Sequence, residues 1–509
     1  MQLSAPFYAA DRLVSRWHDA IVDPARRERT VLASLLIYVL LWTAYGTIAK
    51  SSQGLHPDMT EIVAWSRDLS LGYLKHPPFA AWLVWLWFSV FPLTEWFYYL
   101  LAMLMPGIAL WIVWRISADY LDVEKRIVGV ALLTFVPFFN FHALKFNVNT
   151  VLLPLWAATT FFFLRSIRSR GAICAALAGI AAAGSMLGKY WSVFLVAGLA
   201  LVPIVDRHRF RYFRSTAPWI TIAAGLFALW AHLIWLLDSD FKSFSYALIV
   251  HGDKPFGEAF ASAAGYLAGA FGYVAIPIII TFAIAWPSIK ILADIAWPRE
   301  NERRVVAVAF WAPLLLPVVG AVVASADINS LWSMPVFSLF SIVLLSSTEI
   351  TVHAIDARRV LFGAALLPMV MLIASPAIAI MVQFAGPAPA AAQTRLLANE
   401  VERLWHLTTP RPLRFVGGDA DLAYGVITYA VDRPRALTAL PQPSRADIMK
   451  HGFVLLCFAE DKSCRRQMSG RGPDAKEIET EIVRNFFRVA GIPQRYTILI
   501  VPPTSITSK

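Results

Sequence analysis

Residues 30–49 read TVLASLLIYVLLWTAYGTIA, a run of twenty residues without one charged side chain. About 20 apolar residues are enough for a helix to cross the hydrocarbon of a bilayer, so this run predicts a membrane span. The rest of the chain has the same character, since 58% of its 509 residues are hydrophobic and 16% are charged. Soluble domains are about a quarter charged. The composition therefore excludes a soluble enzyme, a disordered chain and a fibrous repeat.

Twelve such apolar stretches lie between charged residues, and each is a candidate membrane span. They are 30–49, 76–94, 96–114, 127–144, 146–164, 171–188, 190–205, 215–237, 259–289, 305–326, 328–348 and 360–394. Cytoplasmic loops of multi-span proteins carry most of the Lys and Arg residues, which explains the formal net charge of +11 without a nucleic-acid partner. The loops around Arg168, Arg211, Arg303 and Arg358 are therefore predicted to be cytoplasmic, together with the Arg-rich segment 1–29.

One of the twelve stretches cannot cross, because twelve crossings would place segment 1–29 and the basic loops on opposite sides. The stretch 76–94 is the best candidate, since it begins with His76-Pro77-Pro78 and is rich in Trp. We interpret it as an interfacial or re-entrant helix on the outer face. The predicted fold class is a multi-span α-helical membrane protein, with about 11 transmembrane helices in residues 30–390 and a first outer loop at 50–95.

Residues 391–509 have a different composition, with many charges and short strand-like runs, and they follow a Pro/Ala-rich linker at 386–392. Strands are predicted at 413–418, 426–431, 453–460 and 496–502, and helices near 393–406 and 474–489. This pattern indicates a small C-terminal α/β domain, which the span count places on the non-cytoplasmic, periplasmic side. Cys457 and Cys464 both fall in it, where a disulfide is permitted, and their spacing leaves the pairing open.

The first outer loop carries two carboxylates three residues apart, Asp58 and Glu61. Pro57 followed by an acidic residue is typical of a helix N-terminus, and on a helix the two carboxylates face the same way. The pair could act together in chemistry, or it could merely stabilise the helix dipole. Lys75 and His76 continue the polar run, and interfacial snorkelling explains them equally well.

This loop resembles glycosyltransferase family 39, which includes bacterial lipid-A aminoarabinose transferases and protein O-mannosyltransferases. The resemblance rests on Asp58, Gly72-Tyr73 and Lys75-His76-Pro77-Pro78, with weaker similarity at 145–166, at 187–201 and around Trp332. It implies a GT-C-type fold, a polyprenyl-phosphate sugar donor, and Asp58 as catalytic base. The chain departs from the family at Met59, where many members have a second acidic residue. Glu61 is the candidate replacement, as a second catalytic carboxylate or, with Asp58, as a ligand of a divalent metal.

Further candidates for substrate binding follow from the chemistry of the reaction. Transfer from a phosphate-linked sugar needs a base for the acceptor and cations for the departing phosphate. Lys145 and Lys189 lie at the predicted outer ends of spans, where an ammonium group could meet a lipid phosphate. Headgroup snorkelling is the alternative for both lysines. The remaining candidates are Tyr73, Lys75, His76, Asn149, Tyr190 and His251.

The sequence therefore predicts an inverting membrane glycosyltransferase on the periplasmic face of a bacterial inner membrane. It would move a sugar from a polyprenyl-phosphate donor to a lipid, glycan or protein acceptor. The alternative is a polytopic secondary transporter or a lipid-linked sugar flippase. Such a protein would place its ionisable groups near the bilayer midplane rather than at the ends of spans.

Overall fold

The computed structural model describes residues 5–386, 391, 393–439, 442–468 and 475–504. Up to Ala385 the described chain is almost entirely helical, and its α-helices lie in the following order. They are α1 (Ala5–Val22), α2 (Arg27–Ala49), α3 (Pro57–Ser66), α4 (Phe79–Val90), α5 (Glu95–Ser117), α6 (Val123–Leu133), α7 (Val148–Ser169), α8 (Ala172–Gly188), α9 (Val193–Val205), α10 (Arg209–Phe213), α11 (Ala217–Asp238), α12 (Lys242–His251), α13 (Phe256–Tyr273), α14 (Ala275–Ala285), α15 (Ile289–Ala296), α16 (Asn301–Val323), α17 (Phe340–Leu345) and α18 (Ala354–Ala385). Shorter 3₁₀ helices form at Pro137–Phe139, Tyr190–Ser192 and Ser330–Leu339.

The chain divides into two compact units, each built from several segments. The first unit comprises Met1–Thr43, Leu74–Phe79 and Tyr99–Met371. The second comprises Ala44–Tyr73, Ala80–Tyr98 and Leu372–Lys509. The second unit therefore combines most of the first outer loop with the C-terminal domain, which are distant in sequence.

Six helices in the described residues are long and apolar enough to cross a membrane, namely α2, α5, α7, α11, α16 and α18. They coincide with six of the predicted spans, and the predicted span 259–289 is the pair α13 and α14, bent by 52°. Three other predicted spans are shorter apolar helices at Ala172–Gly188, Tyr190–Val205 and Ser330–Leu345. The predicted span 127–144 is not one continuous helix, because α6 ends at Leu133 and the 3₁₀ helix Pro137–Phe139 follows. Proline lacks an amide hydrogen and disfavours a helical residue before it, which accounts for this break.

The stretch that we expected not to cross forms a short helix. Helix α4 has 12 residues, which corresponds to a length of about 18 Å. The hydrocarbon core of a bilayer is ~30 Å thick, so α4 is too short to span it. The helix begins after Pro77 and Pro78, which agrees with the predicted interfacial or re-entrant segment.

Small residues allow the helices of the first unit to pack closely. A Cβ atom added to Gly179 of α8 would lie 2.2 Å from the Thr221 carbonyl oxygen of α11. A Cβ atom added to Gly198 of α9 would lie 2.6 Å from the ring of Pro313 in α16. Without a hydrophobic driving force between helices in lipid, such backbone approaches supply much of the packing energy.

The C-terminal domain contains a five-stranded mixed sheet with helices. Its helices are α19 (Thr394–Thr408), α20 (Ala420–Tyr429), α21 (Arg445–His451) and α22 (Lys462–Met468), and its strands are β1 (Phe415–Gly418), β2 (Arg435–Ala436), β3 (Phe453–Phe458), β4 (Lys476–Ile482), β5 (Asn485–Phe486), β6 (Val489–Ala490) and β7 (Gln494–Val501). The strand order is β2-β1-β3-β7-β4, with β5 and β6 in a separate ribbon. Strand β1 pairs in parallel with β2 and β3, whereas β7 pairs antiparallel with β3 and β4. The predicted α/β domain is confirmed.

Two predicted elements of this domain are wrong. Residues 426–431 are not a strand but lie mostly in α20, whose first turn is capped by the Asp419 side chain accepting from the Leu422 amide. The buried residues Leu422, Val426 and Ala430 recur with the helical period. The described residues 475–489 of the predicted helix 474–489 are not helical. Strand β4 alternates isoleucines with exposed glutamates, and charges of this kind are typical of an edge strand.

The structure pairs Cys457 with Cys464, seven residues apart, which settles the question that the spacing left open. Cys457 lies on β3 and Cys464 on α22. The predicted Pro/Ala-rich linker at 386–392 lies largely outside the described residues.

Candidate functional site

The two predicted carboxylates lie on α3 in the second unit. Pro57 is the first residue of this helix, and the ring of His56 caps it by accepting a hydrogen bond from the Asp58 amide at 3.1 Å. Asp58 is in the first turn and Glu61 follows one turn later, as the sequence predicts. The Asp58 side chain is 35% exposed. The helix N-terminus favours the ionised form of a carboxylate at this position.

His56 is a residue that the sequence reasoning missed. Its Nδ1 atom lies 3.7 Å from an Asp58 carboxylate oxygen, so it shares the end of α3 with the proposed base. Histidine is an uncommon N-cap, because Ser, Thr, Asp and Asn are preferred there. The only available signal was its position directly before Pro57-Asp58.

Tyr73, a predicted substrate ligand, is buried within the loop. Its hydroxyl lies 2.9 Å from the Trp65 carbonyl oxygen and 3.1 Å from that of Asp68, and its ring stacks on Trp65 at 5.1 Å. Burial raises the pKa of Tyr73 to about 12. These contacts occupy the hydroxyl with the main chain of the loop itself, and they indicate that Tyr73 fixes the shape of the loop after α3.

A polar network in the second unit holds the segment before α3. The Leu55 amide donates to the Tyr429 hydroxyl at 2.9 Å, and that hydroxyl lies 3.3 Å from a carboxylate oxygen of Glu95. Glu95 also accepts from Arg395. In a second contact, Arg435 forms an ion pair with Asp68, with 2.6 Å between its Nε atom and the Asp68 Oδ1 atom. Residues of the C-terminal domain thus fix both ends of the segment that carries Asp58 and Glu61.

The first unit brings together two of the predicted substrate ligands, Asn149 and Lys189. The Lys189 ammonium donates to the Asn149 Oδ1 atom at 2.9 Å. Asn149 lies in the first turn of α7, where the Asn147 side chain accepts from the amides of Asn149 and Thr150. Lys189 lies where α8 ends, with extended backbone between that helix and the 3₁₀ helix Tyr190–Ser192. Both residues are therefore at helix ends and not in the middle of a span.

Trp332 connects His251 to this pair. The Lys189 ammonium lies 4.3 Å from the centre of the Trp332 ring, which is a cation–π contact. The His251 ring meets the same indole edge-on at 5.1 Å. Asn149, Lys189, Trp332 and His251 thus form one cluster, which we call the Lys189 cluster. The sequence indicated Trp332 only through weak family similarity, because its contacts are tertiary.

Charge and burial act on His251 in the Lys189 cluster. Burial lowers the pKa of His251, and the carboxylate of Asp327 opposes this effect. The positive charges of Lys189 and Lys254 act in the same direction as burial. The imidazole is therefore biased toward its neutral form.

Tyr190 lies beside the Lys189 cluster and contacts a residue that the sequence reasoning missed. Its hydroxyl is 3.1 Å from the Nε2 atom of His232 in α11, and its ring stacks on Phe244 at 4.7 Å. The signal for His232 was available, since an ionisable residue inside an apolar span is a functional candidate by default.

Lys75, His76 and Lys145 also belong to the first unit. Lys75 and His76 are half-buried and precede Pro77 and Pro78 at the start of α4. Lys145 is half-buried before α7, and its carbonyl oxygen accepts from the Thr150 hydroxyl at 3.0 Å.

The donor set for a divalent metal is weak. Within the part of the chain that the structure describes, no three residues among His, Cys, Asp and Glu are placed to hold a metal ion together. We therefore assign no step to a metal.

Comparisons with known proteins agree with this architecture. The sequence model of the family described as dolichyl-phosphate-mannose-protein mannosyltransferase matches residues 75–235, about a third of the chain. The crystal structure of ArnT from Cupriavidus metallidurans bound to undecaprenyl phosphate aligns with a TM-score of 0.62 and 13% identity, covering 93% of this chain and 98% of ArnT. The apo structure of the same protein gives a TM-score of 0.59 and 10% identity, covering 95% and 100%. No curated protein matches the chain significantly.

The family match begins at Lys75, the first residue of the Lys-His-Pro-Pro motif. The fold similarity extends over nearly the whole chain. The predicted resemblance and the predicted fold class are both confirmed. The chain therefore has the GT-C membrane fold, and its residues 75–235 are similar to a glycosyltransferase family.

Proposed function

We propose that the protein transfers a sugar from a polyprenyl-phosphate donor to a lipid, glycan or protein acceptor, with inversion at the anomeric carbon. The observation that carries the proposal is the Lys189 cluster, in which an ammonium group lies at the start of α7, a helix long enough to cross a membrane. A phosphate at the headgroup level of a bilayer would meet such a cation there. The undecaprenyl phosphate bound to the similar fold of ArnT supports a donor of this class.

In the proposed reaction, Asp58 acts as the base and Lys189 as the cation that stabilises the departing phosphate. Asp58 takes the proton from the attacking group of the acceptor, whose electron pair forms a bond to the anomeric carbon. The bond from that carbon to the phosphate oxygen breaks, and its electron pair leaves with the polyprenyl phosphate. Lys189 stabilises the charge that develops on this phosphate, with Lys75 and Lys145 as further cations. Direct displacement of this kind inverts the anomeric configuration.

The surroundings of each group support these roles. Asp58 is partly exposed at a helix N-terminus, so it is accessible to an acceptor. The Lys189 ammonium contacts a neutral amide oxygen and an aromatic ring. Glu61 and His76 are assigned to shaping the site. His251, Asn149 and Tyr190 are assigned to binding the donor.

The location at the periplasmic face of a bacterial inner membrane is part of the same proposal. It rests on the distribution of basic residues, with the loops around Arg168, Arg211 and Arg303 in the cytoplasm. The alternative function of a transporter or flippase is disfavoured because Asn149 and Lys189 lie at helix ends rather than at mid-span.

Envelope glycolipids from cells with and without the gene, compared by mass spectrometry, would identify the acceptor class. The gene should then be restored with Asp58→Asn, and the matched control is Glu400→Gln, which replaces a partly buried carboxylate of α19 that pairs with Arg403. Removal of a general base lowers rates by about 100-fold or more. We expect the modification to be lost in Asp58→Asn and retained in Glu400→Gln at equal protein levels. Full modification by Asp58→Asn would refute the assigned base.

A further inference from the structure

Helix α7 has polar clusters at both of its ends. Asn149, near its start, belongs to the Lys189 cluster, and Arg168 is close to its last residue. The rise between these two residues is about 29 Å, which equals the hydrocarbon thickness of a bilayer of ~30 Å. The C-terminal end of α7 therefore lies at the opposite membrane interface from the Lys189 cluster.

A cavity of about 230 Å³ opens at this second end, where α7, α10 and α16 meet. Its polar wall is formed by residues of both signs. These are Arg168, Arg170, Asp206, His208, Arg211 and Glu302.

The carboxylates of this cavity are already engaged. Arg168 forms ion pairs with Glu302 at 2.8 Å and with Asp119 at 3.2 Å. Asp206 is only 5% exposed and accepts from the Asn301 side-chain amide at 2.9 Å. These contacts build a rigid wall and balance the charge of Arg168.

Two further arginines of the wall are exposed. Arg170 ends α7 in the left-handed conformation, with a φ of 54°, and Arg211 lies on α10. Both are exposed, and neither forms an ion pair with a carboxylate in the part of the chain that the structure describes. The cavity lining thus holds three arginines against the two carboxylates of Asp206 and Glu302, an excess of one positive charge that a bound anion would neutralise.

The residues around the mouth are those of a membrane interface. Phe210 and Phe213 on α10 are 65% and 45% exposed. They are interleaved with Arg209, Arg211 and Arg214. Exposed aromatic rings between basic residues are typical of a segment at the boundary between acyl chains and headgroups.

We propose that this cavity binds the phosphate of an anionic phospholipid headgroup, with Arg170 and Arg211 as its ligands. Guanidinium groups bind phosphate oxygens in a bidentate manner. Basic pockets between transmembrane helices are suited to anionic headgroups. The acyl chains would remain in the bilayer beside Phe210 and Phe213, so that the lipid ties the end of α7 to α10 and α16.

The test measures lipid binding to the full-length purified protein by native mass spectrometry, with phosphatidylglycerol and phosphatidylcholine titrated separately. The double variant Arg170→Gln/Arg211→Gln should bind phosphatidylglycerol roughly 30-fold more weakly. The matched control, Arg209→Gln/Arg214→Gln, removes two positive charges from α10 and its C-cap, outside the cavity wall, and it should stay within about 3-fold of the native protein.

Three results would overturn the proposal. Equal losses in both double variants would mean that only surface charge matters. Full displacement of the lipid by millimolar inorganic phosphate would make the cavity a site for a soluble anion. Equal binding of phosphatidylcholine and phosphatidylglycerol by the native protein would remove the headgroup preference, and this comparison holds even if a variant folds poorly.

Discussion

Replacing Lys189 by methionine tests the proposed phosphate contact, because the change keeps the length of the side chain and removes only its charge. The donor is a phosphodiester with one negative charge, and it leaves as a monoester with more charge. The ammonium should therefore stabilise the transition state more than the bound donor. We expect the loss to fall mainly on kcat.

The size of the effect follows from the surroundings of Lys189. Two unit charges about 4 Å apart near a protein surface attract each other by up to ~4 kcal/mol. Lys189 is half-buried, so solvent screening and desolvation reduce this value. A remaining contribution of ~2 kcal/mol corresponds to a loss of roughly 30-fold in kcat/KM.

The assay is the initial rate of sugar transfer from a synthetic polyprenyl-phosphate sugar by purified protein in nanodiscs. Lys290→Met is the matched control, since Lys290 is an exposed lysine on α15. Lys189→Arg keeps the charge and should recover part of the rate. A kcat/KM value for Lys189→Met within about 3-fold of the native protein would refute the role of this cation.

Three further predictions concern the C-terminal domain and His251. Tyr429→Phe removes the hydroxyl that accepts from the Leu55 amide and should lower stability by about 1–3 kcal/mol, measured as a lower thermal midpoint with unchanged secondary structure; an unchanged midpoint would show that the network is dispensable. Replacing both Cys457 and Cys464 by alanine opens a loop of seven residues and should destabilise the domain by about 2 kcal/mol, and reduction of the native protein should give the same shift in the same melting experiment. Burial lowers the pKa of His251 in the folded protein below the usual histidine value of about 6.5. The free energy of unfolding therefore decreases as the pH falls from 6.5 through the folded-state pKa, and it is unaffected above pH 6.5. His251→Asn should remove this acid loss from the melting profile, and an identical profile would contradict the assignment.

Local signals explain what the sequence could predict about the site. Helix α3 was predictable because Pro57 and Asp58 form a recognisable N-terminus. The meeting of Asn149 and Lys189 follows from their shared position at the ends of adjacent spans. The start of α4 at Phe79 follows from Pro77 and Pro78 before it.

Tertiary contacts explain what the sequence could not predict. Trp332 lies in a 3₁₀ helix, which cannot be recognised within the uniformly apolar run 328–348. Its contacts with Lys189 and His251 join three segments that are distant in sequence. The Val- and Ile-rich run 426–431 resembles a strand, but the Asp419 cap and a helical burial pattern outweigh its β propensity. Tyr429 acquires its role from Leu55 and Glu95, which are more than 300 residues away.

The central claim is tested most directly by incubating the purified protein with a defined polyprenyl-phosphate sugar and an envelope lipid extract. The products are then resolved by mass spectrometry, and the anomeric configuration of the new linkage is assigned by NMR. We predict free polyprenyl phosphate in equal amount to a glycosylated acceptor, with the anomeric configuration inverted and with both products lost in Asp58→Asn. Movement of the intact donor across a vesicle membrane without cleavage of its phosphate–sugar bond would contradict the account and favour a flippase.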